Sequence, residues 1–387
     1  MAVTKRVTAA ARLSAAALAL PGLMPSAEAG RVEESYQADF QYGHYAESDQ
    51  RMSVDIYQLH GAVPIGEAMT VSANLVRDVV SGASPMFNIK QRDGKPGQVL
   101  TGASIRDQRD AASGSLSYAF DPVTATLGGG YSAEDDYISR YVTGQLSYEF
   151  NHKLSTLTLA GSVAFDQIEP TGLNLKENKS NQQYLLGWSQ VIDKNTLLKL
   201  NATFGYQEGF LSDPYKSVFF DGRGLLADTR PTRRYQWAWL GQLVRYFKPL
   251  NQAAWHLDYR FYTDSWDIDS HTLEMSWHQP LFEGWMLVPR LRYYSQNQAE
   301  FYQAFFSADD SVNRFSSDYR MAGFGALSGG VKLTREWLAP GSLDSLKLQV
   351  GFDYYDRKAA YQLAGDNAGD FADYHAYTVT ASVQVRF

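Results

Sequence analysis

The chain has 387 residues, 44% of them hydrophobic and 20% charged, a net charge of −7 and no cysteine. This composition excludes a disulfide framework, a cysteine-ligated metal and a thiol nucleophile, and the acidic balance argues against nucleic acid as a partner. Mean hydropathy alone resembles a soluble protein, but an aromatic content of 14%, with 25 Tyr, 20 Phe and 8 Trp, argues otherwise.

At the N-terminus, Lys5, Arg6 and Arg12 make a basic start. An apolar run from Leu13 to Leu20 follows, then Pro21 and the small-residue stretch Ala27-Glu28-Ala29. This is the tripartite pattern of a secretory signal, and the apolar run is well short of the ~20 residues that span a bilayer. Residues 1–29 are therefore expected to be a cleavable signal peptide and residues 30–387 a single domain. Cleavage after Ala29 removes three basic residues and one acidic one, leaving 32 Lys+Arg against 41 Asp+Glu and a net charge of −9.

Beyond residue 30 no apolar run is long enough for a membrane helix. What recurs is alternation over roughly ten residues, the period of a strand with one apolar and one polar face. Leu198, Leu200, Ala202 and Phe204 oppose Lys199, Asn201 and Thr203. Leu346, Leu348, Val350, Phe352 and Tyr354 oppose Lys347, Gln349 and Asp353. Tyr377, Val379, Ala381, Val383, Val385 and Phe387 oppose Thr378, Thr380, Ser382, Gln384 and Arg386.

The connections alternate between two kinds. Short ones lie at Ile65-Gly66, Asp121-Pro122, Asn151-His152, Asp193-Lys194, Pro249-Leu250, Leu281-Phe282 and Pro340-Gly341. Long or polar ones lie at 46–49, 81–112, 133–138, 166–181, 207–232, 264–269, 295–319 and 356–374. Short turns on one rim and long loops on the other are the plan of an outer-membrane barrel. The expectation is an all-β, transmembrane, antiparallel up-and-down β-barrel with short periplasmic turns and long extracellular loops. The punctuation gives about sixteen strands, and fourteen to eighteen are compatible with it. The tenth strand, near Tyr235–Phe247, puts Arg245 on its apolar face, and the fourteenth, near Met321–Leu333, is glycine-rich; either is expected to hide a bulge.

Lipid cannot hydrogen-bond a free strand edge, so such a sheet has to close. Trp237, Trp239, Trp255, Trp277 and Trp285 suit the girdles at the two membrane interfaces. An alternating strand ending on Phe387 matches the pattern read by barrel-insertion machinery. An acidic mature chain facing lipopolysaccharide phosphates would need bridging divalent cations.

With apolar faces toward lipid, the opposite faces line the lumen. Charge concentrates there in strands eleven to thirteen, at His256, Asp258, Arg260, Glu274, His278, Arg290 and Arg292. Three readings stand for this patch: a constriction selecting small charged solutes, a neutralised network stiffening or plugging the lumen, and a catalytic or metal site. On the other side, Asp39, Asp55 and Asp78 are read as inward-facing, with Lys347 and Arg386 on the last two strands. An acidic wall opposite a basic one would set up a transverse field, or the charges merely keep the interior wet. Among the loops, Ser81–Ala112 is nearly charge-balanced, and Gly209–Lys216 has Asp-Pro turn chemistry for a compact rim feature. Asp264, Asp267 and Asp269 crowd one turn, either as oxygen ligands for a divalent cation or simply solvated. No phosphate loop, zinc helix motif, nucleophile elbow or dinucleotide fingerprint stands in its required context.

The run from Arg260 through Asp264-Ser265-Trp266, Ser270-His271-Thr272-Leu273-Glu274, Trp277-His278-Gln279-Pro280 and Pro289-Arg290-Leu291-Arg292-Tyr293-Tyr294 resembles a widespread, uncharacterised proteobacterial outer-membrane family. Ser212-Asp213-Pro214-Tyr215-Lys216 and Ser81-Gly82-Ala83-Ser84-Pro85 carry the same resemblance, which covers the whole mature chain. It implies the barrel and assigns no activity or cofactor. Members of that family are encoded near a small lipoprotein, a thioredoxin-like protein and a flavin-attaching enzyme, so the resemblance implies envelope redox or the trafficking of a modified envelope protein partner. The first functional expectation is a porin-like channel for small polar or charged solutes. The second is a plugged barrel serving as scaffold or export partner, and the third an outer-membrane hydrolase.

Overall fold

The computed structural model describes residues 35–387 apart from 49–50, 83–84, 93–95, 101–104, 308–309, 311, 339–342 and 364–372. The expected signal segment lies outside the described residues.

Sixteen antiparallel strands form one closed barrel. In chain order they are β1 (Gln37–Glu47), β2 (Met52–Ile65), β3 (Met69–Gly82), β4 (Ile105–Phe120), β5 (Val123–Ala133), β6 (Tyr137–Phe150), β7 (Ser155–Ile168) and β8 (Glu177–Asp193). The second half comprises β9 (Thr196–Gly209), β10 (Arg233–Phe247), β11 (Ala253–Asp264), β12 (Asp269–Pro280), β13 (Trp285–Gln296), β14 (Phe324–Leu338), β15 (Ser345–Lys358) and β16 (Tyr374–Arg386). Each strand pairs with its sequence neighbour, and β1 closes the ring on β16 from Gln37↔Arg386 to Glu47↔Ala376. Among the described residues no helix is long and apolar enough to cross a membrane.

The two-residue period sorts side chains to the two faces. Leu127, Phe165 and Leu291 are more than 60% exposed on the outer face, where a soluble barrel would place polar groups. Ring contacts run sideways along that face, from Phe204 to Trp237, then Trp239, then Phe261. The short turns need special backbone. Gly284 adopts φ +70°, and a Cβ there would sit 2.1 Å from the Glu336 carbonyl oxygen.

Three local expectations change. The long connection after β3 is confined to residues 83–104, because β3 runs to Gly82 and β4 starts at Ile105. It contains its own hairpin, Pro85–Lys90 with Pro96–Leu100. The tenth and fourteenth strands pair in continuous register without a bulge. Arg245 stays on the outer face, at the short-turn rim, where it reaches Asp193 and Thr196. The register shift falls instead in β8, between Val191 and Asp193.

Leu127 lies part-way up β5 on the outer face. Leu127→Arg is expected to destabilise the barrel by about 2–4 kcal/mol, the depth-dependent cost of a charge near the bilayer midplane. Reversible denaturant unfolding in lipid vesicles measures it, with Leu127→Phe as a near-neutral control.

Candidate functional site

The inner faces of β11, β12 and β13 bring together the seven charged residues singled out above. Cross-strand pairing sets Asp258 beside Glu274 and Glu274 beside Arg292, with His256 beside Ser276 and Ser276 beside Arg290 in the next row. Arg290 donates to Asp353 at 2.6 Å and approaches Glu274 at 3.5 Å; Arg292 lies 4.0 Å from the same carboxylate. Gln242 donates to Asp258 at 3.0 Å. The rings of His256 and His278 stack with centroids 4.1 Å apart. Arg260 lies higher, its guanidinium 5.2 Å from the Tyr262 ring centre.

Asp353 belongs to this group although it was visible only as one polar member of an alternating strand. Its partner Arg290 comes from two strands away, and the intervening position in β14 is Gly330. A Cβ on Gly330 would fall 1.8 Å from Asp353 Oδ1. The glycine-rich character of β14 thus makes room for an ion pair.

The first three strands do not form an acidic wall. Asp39 and Asp78 face inward, but Asp78 has no exposure and is held by Arg109, whose Nε donates at 2.7 Å. Asp55 is a correction: it faces outward. It stands five residues from His60, which pairs with the inward Asp39, and an odd separation reverses the face. Asp55 accepts from Tyr42 Oη at 2.7 Å and lies 2.9 Å from His44 Nδ1. Apolarity could not reveal this, because β2 is apolar on both faces at this level. Inward Met52 and Val54 pack with Val80 in a buried cluster, while Tyr57 and Leu59 are exposed outside. Lys347 and Arg386 lie on the inner faces of β15 and β16 near the short turns; Lys347 pairs across to Gln384, and Arg386 to Ser345.

Above the charged wall, the long loops fold together into a plug. Trp266, Phe301, Tyr302, Tyr319 and Met321 form one buried apolar cluster with inward-facing Ala238, Tyr262, Phe324 and Tyr374 of the barrel. The 210–232 connection contributes a hairpin, Ser217–Phe220 with Gly224–Ala227, whose Phe220 packs on Phe306 and Phe315. Asn88, from the hairpin after β3, donates to the Ser317 carbonyl at 3.3 Å, and Lys216 donates to that of Pro85. On one side Arg357 of β15 donates to the Tyr319 carbonyl at 2.6 Å; on the far side Tyr215 donates to Asp136 in the β5–β6 turn. The loop assembly therefore spans the mouth.

Its centre is ionic. Asp318 accepts from Arg230 at 2.7 Å and from Arg320 Nε at 2.8 Å. Arg230 also donates to Asp228 at 2.7 Å, and Arg320 to Asp213 at 2.6 Å. Burial by itself would raise the Asp318 carboxyl, but the surrounding Arg320, Lys216 and Arg230 hold it well below the usual range. For Asp228, burial outweighs Arg230 and its carboxyl is raised. Sequence reasoning selected Asp213 with its turn but missed Asp228, Arg230, Asp318 and Arg320. In a polar loop these look like ordinary solvated charges.

Two groupings bear on metals. Asp107, Glu134 and Asp136 bring carboxylate oxygens within 4.8 Å of one another, the oxygen-rich donor type that suits a hard divalent cation. Asp264 has another employment. Its Oδ1 accepts the backbone N–H groups of Trp266 and Ile268 at 2.8 and 3.1 Å, and its Oδ2 accepts from Arg234 and Tyr262. It organises a turn together with Asp267, which has φ +62°.

Asp318→Asn would leave two buried guanidiniums short of their shared charge, a change costing about 3–5 kcal/mol when a buried pair is broken. Trypsin is expected to cut at Arg320 in this variant and to spare it in the wild type. The pH response follows from the two directions. Asp228, raised in the fold, takes up a proton as pH falls toward the carboxylate range and relieves the plug. Asp318, lowered in the fold, stabilises above the unfolded carboxylate value of about 4 and loses that contribution as pH falls through its depressed value. Amide-exchange protection at residues 316–321, corrected for the intrinsic pH dependence of exchange, should therefore rise on mild acidification and fall only in strong acid.

The fold resembles that of a bacterial polysaccharide outer membrane secretin, with a TM-score of 0.52 at 6% identity, over 92% of this chain and 100% of that one. Lower-scoring likenesses are CdiB from Acinetobacter baumannii (TM-score 0.49, 9% identity, 92% of this chain and 60% of that one) and the outer membrane protein opdK from Pseudomonas aeruginosa (0.43, 10%, 91% and 99%). No curated protein matches the sequence. A family described as "Protein of unknown function (DUF3570)" matches residues 10–383, and the chain belongs to that family.

Proposed function

We propose that this protein is a channel in the outer membrane of a Gram-negative bacterium, passing small polar or charged solutes and gated at its cell-surface mouth by the folded plug. The observation that carries this reading is the combination of a charged inner wall on β11–β15 with a plug that is held together by ion pairs and joined to the rim by apolar packing and by hydrogen bonds from Arg357 and Tyr215. Such contacts exchange with water at modest net cost, unlike a continuous covalent or β-paired seal. The short turns then lie on the periplasmic side, and Phe387 at that rim serves the insertion machinery. Its ring stacks on Tyr36 at 5.6 Å, beside backbone hydrogen bonds of 2.9 and 3.1 Å between the two residues.

A second reading, a permanently plugged barrel that serves as scaffold for an envelope partner, is favoured by one observation. The plug buries Tyr302 and Phe220 almost completely, as the core of a folded domain does.

Planar-bilayer conductance of refolded residues 30–387 separates the two. Channel function predicts low conductance for the wild type and a several-fold rise for Asp318→Asn, with cation preference increased when Arg290→Ala and Arg292→Ala are added. A folded barrel that stays silent in every variant removes the channel and leaves the scaffold.

A further inference from the structure

The outer wall of the barrel is not smooth. At mid-height on β6 and β7 two outward positions are glycine, and Gly144 pairs directly across from Gly161. Leu127 of β5 flanks the pair on one side and Tyr184 of β8 on the other, with Leu146 and Leu159 one step toward the short turns. These residues and Leu186 line an apolar groove, and none of its lining residues is charged. A Cβ on Gly144 would meet nothing within 4 Å, and one on Gly161 would come no closer than 3.5 Å to Tyr184. Neither glycine has a positive φ, so neither packing nor backbone conformation demands it. Glycine weakens a strand interior and often marks a place where a ligand approaches the backbone closely.

A second, polar concavity lies on the same strands, nearer the long loops. Arg140 of β6, Phe165 and Gln167 of β7, Asn178 and Ser180 of β8 and Glu208 of β9 line it. Asp166 and Lys179 border it too, but the two-residue period turns their side chains to the inner face, where they lie 3.8 Å apart. Two outward steps join the concavity to the groove, Arg140, Val142 and Gly144 on β6 and Ser180, Gln182 and Tyr184 on β8. That is about 13 Å along each strand. The guanidinium of Arg140 stands 5.9 Å from the Tyr131 ring centre. Glu208 is countered by Arg233 at 2.9 Å and accepts from Tyr206 at 2.8 Å. The set therefore offers donors and acceptors together, beside the exposed ring of Phe165, rather than concentrated charge of one sign.

We propose that groove and concavity form one binding site for a saccharolipid of the leaflet on the long-loop side. An acyl chain lies in the groove over Gly144 and Gly161, and the sugar headgroup occupies the polar concavity. A hydroxylated ring needs both donors and acceptors, which Gln167, Asn178, Ser180 and Glu208 supply. Arg140 suits a phosphate carried on that ring. A simple anionic headgroup would use only the cation and would be opposed by Glu208. The inference rests on the outer-membrane reading above for the leaflet that the long-loop rim faces. It does not rest on conduction, because the site lies outside the barrel.

The test is native mass spectrometry of refolded residues 30–387 released from detergent micelles after titration with an acylated, phosphorylated glucosamine disaccharide or with phosphatidylglycerol. A discrete, saturable saccharolipid adduct is expected at concentrations where phosphatidylglycerol gives none. It should weaken about tenfold or more in Gly144→Leu, which fills the groove, and in Arg140→Gln/Asn178→Ala, which strips the headgroup contacts. It should persist in Gly329→Leu, which adds the same side chain to the outer wall on β14, opposite Leu291. Equal retention of the two lipids overturns the proposal, as does equal weakening in Gly144→Leu and Gly329→Leu. An oligomer that forms without lipid and is lost in Gly144→Leu also overturns it, making the groove an interface between copies of this chain. Absence of any saccharolipid adduct overturns the site, and insertion into phosphatidylglycerol vesicles then shows whether the membrane reading falls with it. A heat-modifiable band on a gel certifies that each variant has folded, and either binding variant decides the outcome if the other does not fold.

Discussion

Backbone hydrogen bonding in a medium without water governs this molecule. A strand edge exposed to hydrocarbon would leave a row of unsatisfied N–H and C=O groups, each costing several kcal/mol. The seam between β1 and β16 removes that cost, pairing eleven successive residues from Gln37 to Glu47 with the last strand. Once the ring is closed, each inward side chain gains fixed neighbours on both sides. The lumen wall becomes a two-dimensional array in which Arg290 can meet Asp353 across Gly330.

Closure also creates a mouth, and the way it is filled decides what the barrel can do. An apolar plug alone would resist rehydration, while an ionic one alone would suffer the desolvation of its charges. The structure combines them. Trp266, Phe301 and Tyr302 exclude water, and within that dry setting Asp318 holds Arg230 and Arg320. The cation–ring contacts of Arg51, Lys216 and Arg357 with Tyr319 join the two kinds of contact at one residue. Such a lid is stable when closed and has polar partners to exchange with water if it opens.

Much of the fold was legible because its information is local. The alternation in Tyr377–Phe387 needs only the two-residue period, and the spacing of short and long connections gives a count of about sixteen strands. Charge on β11–β13 was visible for the same reason, since those strands have a clear apolar face. Asp55 was not, because Val54 and Ile56 are as apolar as Tyr57 and Leu59 and the period loses its phase. Arg245 looked like a defect and is a rim residue whose partners come from the preceding turn. The plug was illegible for a further reason: Asp318 lies 88 residues from Arg230, and Arg320 lies 107 from Asp213. No local pattern distinguishes a loop charge destined for burial from one that remains in water.

By itself, then, the sequence determined that this is a closed barrel with an apolar outside, a polar inside and two unlike rims. Those properties follow from the strand period and from what lipid and water each tolerate. Only the tertiary structure decided which charges meet, that Asp55 faces out, and that the loops return to fill the mouth. Register and loop packing depend on contacts between residues far apart in the chain, and those contacts come into being only when the ring has closed.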